Sequence, residues 1–245
     1  MCDLIDAGAT AHGSREASIA GDVDELLGCL APGNTFPSLG PAGSRSLVAG
    51  GDAQHDIPQT SLALPADVWP IPFLCLAKFN LRCEVDLKTV AFGLRHAEYN
   101  PRKHGSITVR IFEPRATALV RASGVVSVTG PVDMEVLKTS AKKIARLIQR
   151  AGCPDAKFAG YEVSTVLAKL NVGFPVRLDA LATKWRKNAM YEPEFYSGCV
   201  FRSRNPRSTF LITAGGKVVI SGTRTVEATE DAARRIYAIL LEFQT

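Results

Sequence analysis

The chain has 245 residues, 46% of them hydrophobic, and 29 Lys and Arg against 24 Asp and Glu leave a formal charge of +5, enough length and apolar content for one large domain or two small ones. The six cysteines form no C-x-x-C pair and the four histidines lack ligand spacing, which argues against a zinc site and for reduced thiols. With no long apolar run and no charged-then-apolar order at the N-terminus, the expectation is a soluble intracellular protein with no membrane partner and no cofactor.

Residues 1–70 hold nine Asp and Glu against two Lys and Arg, so the rest of the chain holds 27 bases against 15 acids, a net of +12. A basic body behind an acidic tail points to a polyanionic partner. The tail is rich in Gly, Ala, Pro and Ser, and is expected to be disordered because it buries too little apolar area to offset chain entropy. Within it Ile19, Val23, Leu26, Leu27 and Leu30 fall at helical spacing among Asp22, Asp24 and Glu25, either a fraying helix or a segment that docks on a basic surface.

From residue 71 the sequence repeats, so a first repeat is assigned to 71–155 and a second to 156–245. Residues 97–130 align with 189–222 at a constant offset of 92 and match at twelve of 34 positions, where unrelated segments would share about two. Such self-similarity marks two copies of one supersecondary unit. FLCLAKFNLRC and KFAGYEVSTVLAKLNV read as opening strands. Amphipathic helices follow over Leu87–Ala97 and Leu178–Ala189, then turns at Y-N-P and Y-E-P. SITVRIF, TALVRAS and VVSVTG in the first copy, with CVFRSR, TFLITAG and KVVISG in the second, alternate with period two. A closing helix buries Leu137, Ala141, Ile144, Ile148 and Ala151 in the first copy, and Ile236, Leu240 and Phe243 in the second.

The order predicts an α+β fold: one antiparallel sheet, helices on one face, the other face open to solvent or a ligand. Alternation sends Ile107, Val109 and Ile111 to the core and His104, Ser106, Thr108 and Arg110 to the open face. The same parity adds Leu119, Arg121, Ser123, Val125, Ser127 and Thr129 to that face. A basic, two-fold pseudosymmetric surface suits duplex DNA, which is itself two-fold pseudosymmetric.

VDLKTVAFGLRHAEYNPRK, RIFEPRATALV, SGVVSVTG, FPVRLDAL, YEPEFYSG and GGKVVISG resemble, in order and register, the C-terminal core of the TATA-binding-protein family. The resemblance covers about 71–245 and implies a duplicated saddle, a curved antiparallel sheet with helices on its convex face. It further implies minor-groove binding of double-stranded promoter DNA, a nuclear location and service in transcription initiation. Parity and resemblance together assign Leu76, Lys78, His104, Arg110, Arg115, Leu119, Arg121, Thr129, Leu167, Lys169, Tyr196, Arg202, Arg207, Leu211, Thr213, Lys217, Val219 and Ser221 to the DNA-facing surface. The family serves as the standard example of apolar wedges that unstack base steps, and it does so with phenylalanines. At those positions this chain has His104, Arg121, Tyr196 and Thr213. Two central asparagines become Leu74 and Thr165, and a valine becomes Ser127 while its counterpart Val219 remains.

Arg110, Arg115, Arg202, Arg207 and Lys217 match basic positions of the family that touch phosphate, and Lys78, Lys169 and Arg121 add cations. Phosphate contacts supply position and affinity without reading sequence, so the expectation is DNA binding with reduced preference for TATA. Glu192, Glu194 and Phe195 match the turn that the family presents to factor IIB. Lys138, Lys142, Lys143, Arg146 and Arg150 match the basic helix used by other factors, so IIA-like and IIB-like proteins and other promoter-recognition complexes are the expected partners. No carboxylate pair, Ser-His-Asp set, phosphate-cradling glycine loop or metal cluster supports an enzyme. The alternative is a protein-interaction scaffold of the initiation complex that keeps the saddle without binding DNA directly.

Overall fold

The computed structural model describes residues 63–245 apart from Lys103, so the acidic patch at Ile19–Leu30 and most of the expected tail lie outside the described residues. The first copy contains β1 (Ile71–Asn80), α1 (Leu87–Gly93), β2 (Ala97–Tyr99), β3 (Ser106–Phe112), β4 (Arg115–Arg121), β5 (Val125–Gly130) and α2 (Met134–Arg150). The second contains β6 (Ala159–Asn171), α3 (Leu178–Lys184), β7 (Ala189–Met190), β8 (Cys199–Arg204), β9 (Arg207–Ile212), β10 (Lys217–Thr223) and α4 (Val226–Leu241). All strands join one antiparallel sheet in the order β2-β3-β4-β5-β1-β6-β10-β9-β8-β7. That order is the same read from either end, with the two opening strands paired at the centre. The repeat in the sequence is therefore a two-fold repeat in space.

One sheet face is buried under the helices. Cys75, Ala77 and Phe79 of β1 point to it with Ile107, Val109 and Ile111 of β3, and they pack with Leu137, Ala141, Ile144 and Ile148 of α2. Phe201, Phe210, Ile212, Val218 and Ile220 meet Ala232, Ile236 and Leu240 of α4 in a second core. Val166 belongs to the first core and Leu170 to the second. Both are even positions on β6, and the register shifts beside them place their extra residues on β1 and β10 rather than on β6 between the two, so both cores lie on the same face. Residues 63–70, grouped with the tail on composition, contribute Val68 and Leu64 to the second core. Asp133 caps α2 by accepting from the amides of Glu135 and Val136, and Thr225 caps α4 by accepting from that of Ala228. The thiols of Cys75, Cys83, Cys153 and Cys199 are free, and burial pushes Cys199 up to about 11.

The two short helices end earlier than their periodicity predicts. α1 stops at Gly93, not Ala97, and α3 stops at Lys184, not Ala189. The residues that follow become the outermost strands. Gly93 lies against Ala151 so closely that a Cβ would collide with its backbone. Beyond it Ala97, Glu98 and Tyr99 pair with β3. In the second copy Ala189 and Met190 pair with β8. Each edge is anchored in the same way: the Arg110 amide donates to the His96 carbonyl at 3.0 Å, and the Arg202 amide to the Asn188 carbonyl at 2.8 Å. Pairing at a sheet edge outweighs a weak helical period.

Candidate nucleic-acid interface

Register defines the face opposite the cores. In the first copy Thr108, Leu119, Ser127 and Lys78 stand side by side across four strands, and Arg110, Thr117, Thr129 and Leu76 form the next row. In the second copy the matching rows are Val200, Leu211, Val219 and Lys169, then Arg202, Thr209 and Ser221. Thr108, Arg110, Leu119, Ser127 and Thr129, the residues that alternation sends to the open face, stand in these first-copy rows. The halves differ in polarity. Leu167, Leu211 and Val219 have only 3%, 3% and 7% of their surface exposed although they lie on the side away from both cores. The first-copy rows carry the half-buried hydroxyl side chains of Thr108, Thr117, Ser127 and Thr129.

The cations are arranged in duplicate. Arg110 and Arg202 are exposed at corresponding points of β3 and β8, and Arg115 and Arg207 open β4 and β9. Arg121 closes β4 and Lys217 opens β10, both exposed, while Lys169 is half-buried. Several of these charges already meet carboxylates. Arg110 lies 3.2 Å from Glu98, and Lys78 lies 3.2 Å from Glu162, which also receives Arg224 at 2.8 Å. Glu98, Glu162 and Arg224 are not among the residues that sequence reasoning singles out. A strict alternation counted from Val166 and Ala168 would have hidden Glu162 in the core.

The four positions expected from the resemblance to correspond to wedges hold His104, Arg121, Tyr196 and Thr213. His104 is exposed in the loop before β3, and its amide donates to the Asn100 carbonyl at 2.9 Å. Arg121 is exposed at the end of β4. Tyr196 is half-buried beside Gly198, where a Cβ would meet its ring. The Thr213 hydroxyl is engaged in its own turn, donating to the Lys217 carbonyl at 3.1 Å and accepting from its amide at 3.2 Å.

On the second-copy turn, the amides of Phe195 and Tyr196 both donate to the Glu192 carbonyl at 3.0 Å. That tight turn holds Glu192 and Glu194 exposed and leaves Phe195 85% exposed. On α2, Lys142, Lys143, Arg146 and Arg150 are exposed and Lys138 half-buried, with Lys143 donating to the Glu113 carbonyl.

A family model described as transcription factor TFIID, or TATA-binding protein, matches residues 75–151 and 160–243. TATA-box-binding protein 2 of Arabidopsis thaliana is 37% identical over 180 residues, covering 74% of this chain and 90% of the relative. The TATA-box-binding protein of Acanthamoeba castellanii is 34% identical over 201 residues, 82% of this chain and 77% of the relative. Among solved structures, the TBP of Methanococcus jannaschii superposes with a TM-score of 0.54 at 25% identity, covering 72% of this chain and 99% of that one.

Proposed function

The chain belongs to the TATA-binding-protein family of general transcription factors, and from that premise we propose that its saddle binds promoter DNA mainly through phosphate contacts, with little preference for TATA. The observation that carries this is the duplicated set of exposed arginines on the face opposite the helices, Arg110 and Arg115 with Arg202 and Arg207. Lysine and arginine bound to phosphate release counterions whatever the base sequence. Arg121 and Thr213 at two wedge positions supply no apolar surface to insert between bases. The site of action is the nucleus. The Glu192–Tyr196 turn receives a IIB-like factor, and the basic face of α2 receives IIA-like factors and other promoter-recognition complexes.

The test is a gel shift over a salt series with TATA and scrambled duplexes. The expected result is binding that falls steeply with salt and differs little between the two. A strong TATA preference with a large bend by energy transfer would overturn it. The scaffold reading is favoured by one observation, the pairing of face cations with Glu98 and Glu162. Absence of binding at low salt would establish it.

A further inference from the structure

Two β-bulges in neighbouring strands bring a carboxylate onto the face assigned to DNA. On β6 the register steps from Leu76↔Thr165 to Ala77↔Val163, which leaves Ser164 as an extra residue. On β10 it steps from Ile220↔Ala168 to Thr223↔Val166, an extra residue at Ser221–Gly222, where the Gly222 amide donates to the Thr165 hydroxyl at 2.7 Å. An extra residue reverses the facing of everything beyond it. Past the first bulge Glu162 lies opposite Lys78, on the open face. Past the second, Thr223 turns inward to Thr229 at 2.6 Å, so Arg224 turns outward. The result is one carboxylate between a cation on β1 and a cation just past the end of β10, 3.2 Å from Lys78 and 2.8 Å from Arg224. The pseudosymmetric site lacks this device, since Lys169 stands opposite Ile71.

We propose that Glu162 competes with DNA phosphate for Lys78 and Arg224, setting an upper limit on DNA affinity at the central β1–β6 seam of the saddle. This rests on the DNA-binding reading above. Glu162 neutralises two cations that would otherwise hold counterions, and it repels an approaching phosphate. A duplex must displace it or forgo both contacts. Either way the protein binds less tightly, and with a shallower salt dependence, than its count of surface bases implies. The cost falls on only one of the two pseudosymmetric sites, which gives a duplex a preferred orientation on a near-symmetric surface.

The experiment compares the full chain with Glu162→Gln, using anisotropy of a labelled scrambled duplex across a salt series. Asp179→Asn, an exposed acid in α3, controls for the loss of one negative charge elsewhere. Glu162→Gln should tighten binding at low salt about three- to tenfold and steepen the log–log salt slope by about one to two, since each freed phosphate contact adds about 0.9. Lys78→Gln should change little in the parent but remove about one from the slope in the Glu162→Gln background. If the parent binds and Glu162→Gln matches Asp179→Asn in affinity and slope, the proposal fails while the DNA-binding reading stands. If neither the parent nor Glu162→Gln binds at low salt, both fail. If only Glu162→Gln binds, the carboxylate is the block.

Discussion

Gly124 and Gly216 lie 92 residues apart and adopt the same left-handed backbone, at φ +77 and +79. Each passes against a carbonyl, that of Cys83 or of Phe174, where a Cβ would overlap the oxygen. Both the conformation and the contact exclude a side chain, so Gly124→Ala and Gly216→Ala should each lower stability by about 1–3 kcal/mol, read from urea midpoints at unchanged slope. Asp86 makes a different kind of residue-level contribution. Its carboxylate accepts from the Thr89 hydroxyl at 2.6 Å and from the Lys88 amide at 3.1 Å, and these bonds hold its pKa below the usual value. A group lowered on folding stabilises fully above its unfolded value, near pH 4, and loses that contribution as pH falls through the folded one. Asp86→Asn should therefore flatten the acid limb of the stability–pH profile and leave its neutral limb parallel to the parent. An unchanged acid limb would mean that these two bonds contribute nothing.

At the scale of elements, the second-copy turn and α2 present opposite charges. Glu192 and Glu194 flank an almost fully exposed Phe195 on a turn locked by two hydrogen bonds to one carbonyl. Rim charges of this kind steer and register a partner. Reversing both, Glu192→Lys with Glu194→Lys, should weaken a IIB-like partner by about tenfold or more while DNA affinity in a gel shift stays near the parent's. If the partner binds the double variant as it binds the parent, the turn is not its contact. The helix has its own local requirement. Asp133 accepts from two amides of the first turn of α2, and Asp133→Ala should cost about 1 kcal/mol in chemical denaturation.

Across the whole molecule, two cores sit under one continuous sheet, Ile144 fully buried in the first and Ile236 nearly so in the second. Ile144→Val and Ile236→Val should each cost about 0.5–1.5 kcal/mol. Because the two residues belong to separate clusters, the double variant should be additive within about 0.5 kcal/mol. A larger coupling would show that the halves are energetically one core. The sequence by itself determined the duplication, most strands, the two long helices and the side of the sheet on which Arg110, Leu119 and Thr129 lie. Those follow from period-two alternation and an ungapped repeat, both local properties of the chain. It misjudged the ends of the two short helices, because strands as short as Ala97–Tyr99 and Ala189–Met190 exist only where an edge is present to pair with. Only the tertiary structure decided where Glu162 and Arg224 point. Alternation counted from Val166 or Ile220 buries both, and the extra residues at Ser164 in β6 and at Ser221–Gly222 in β10 that turn them outward arise from pairing with other strands of the sheet.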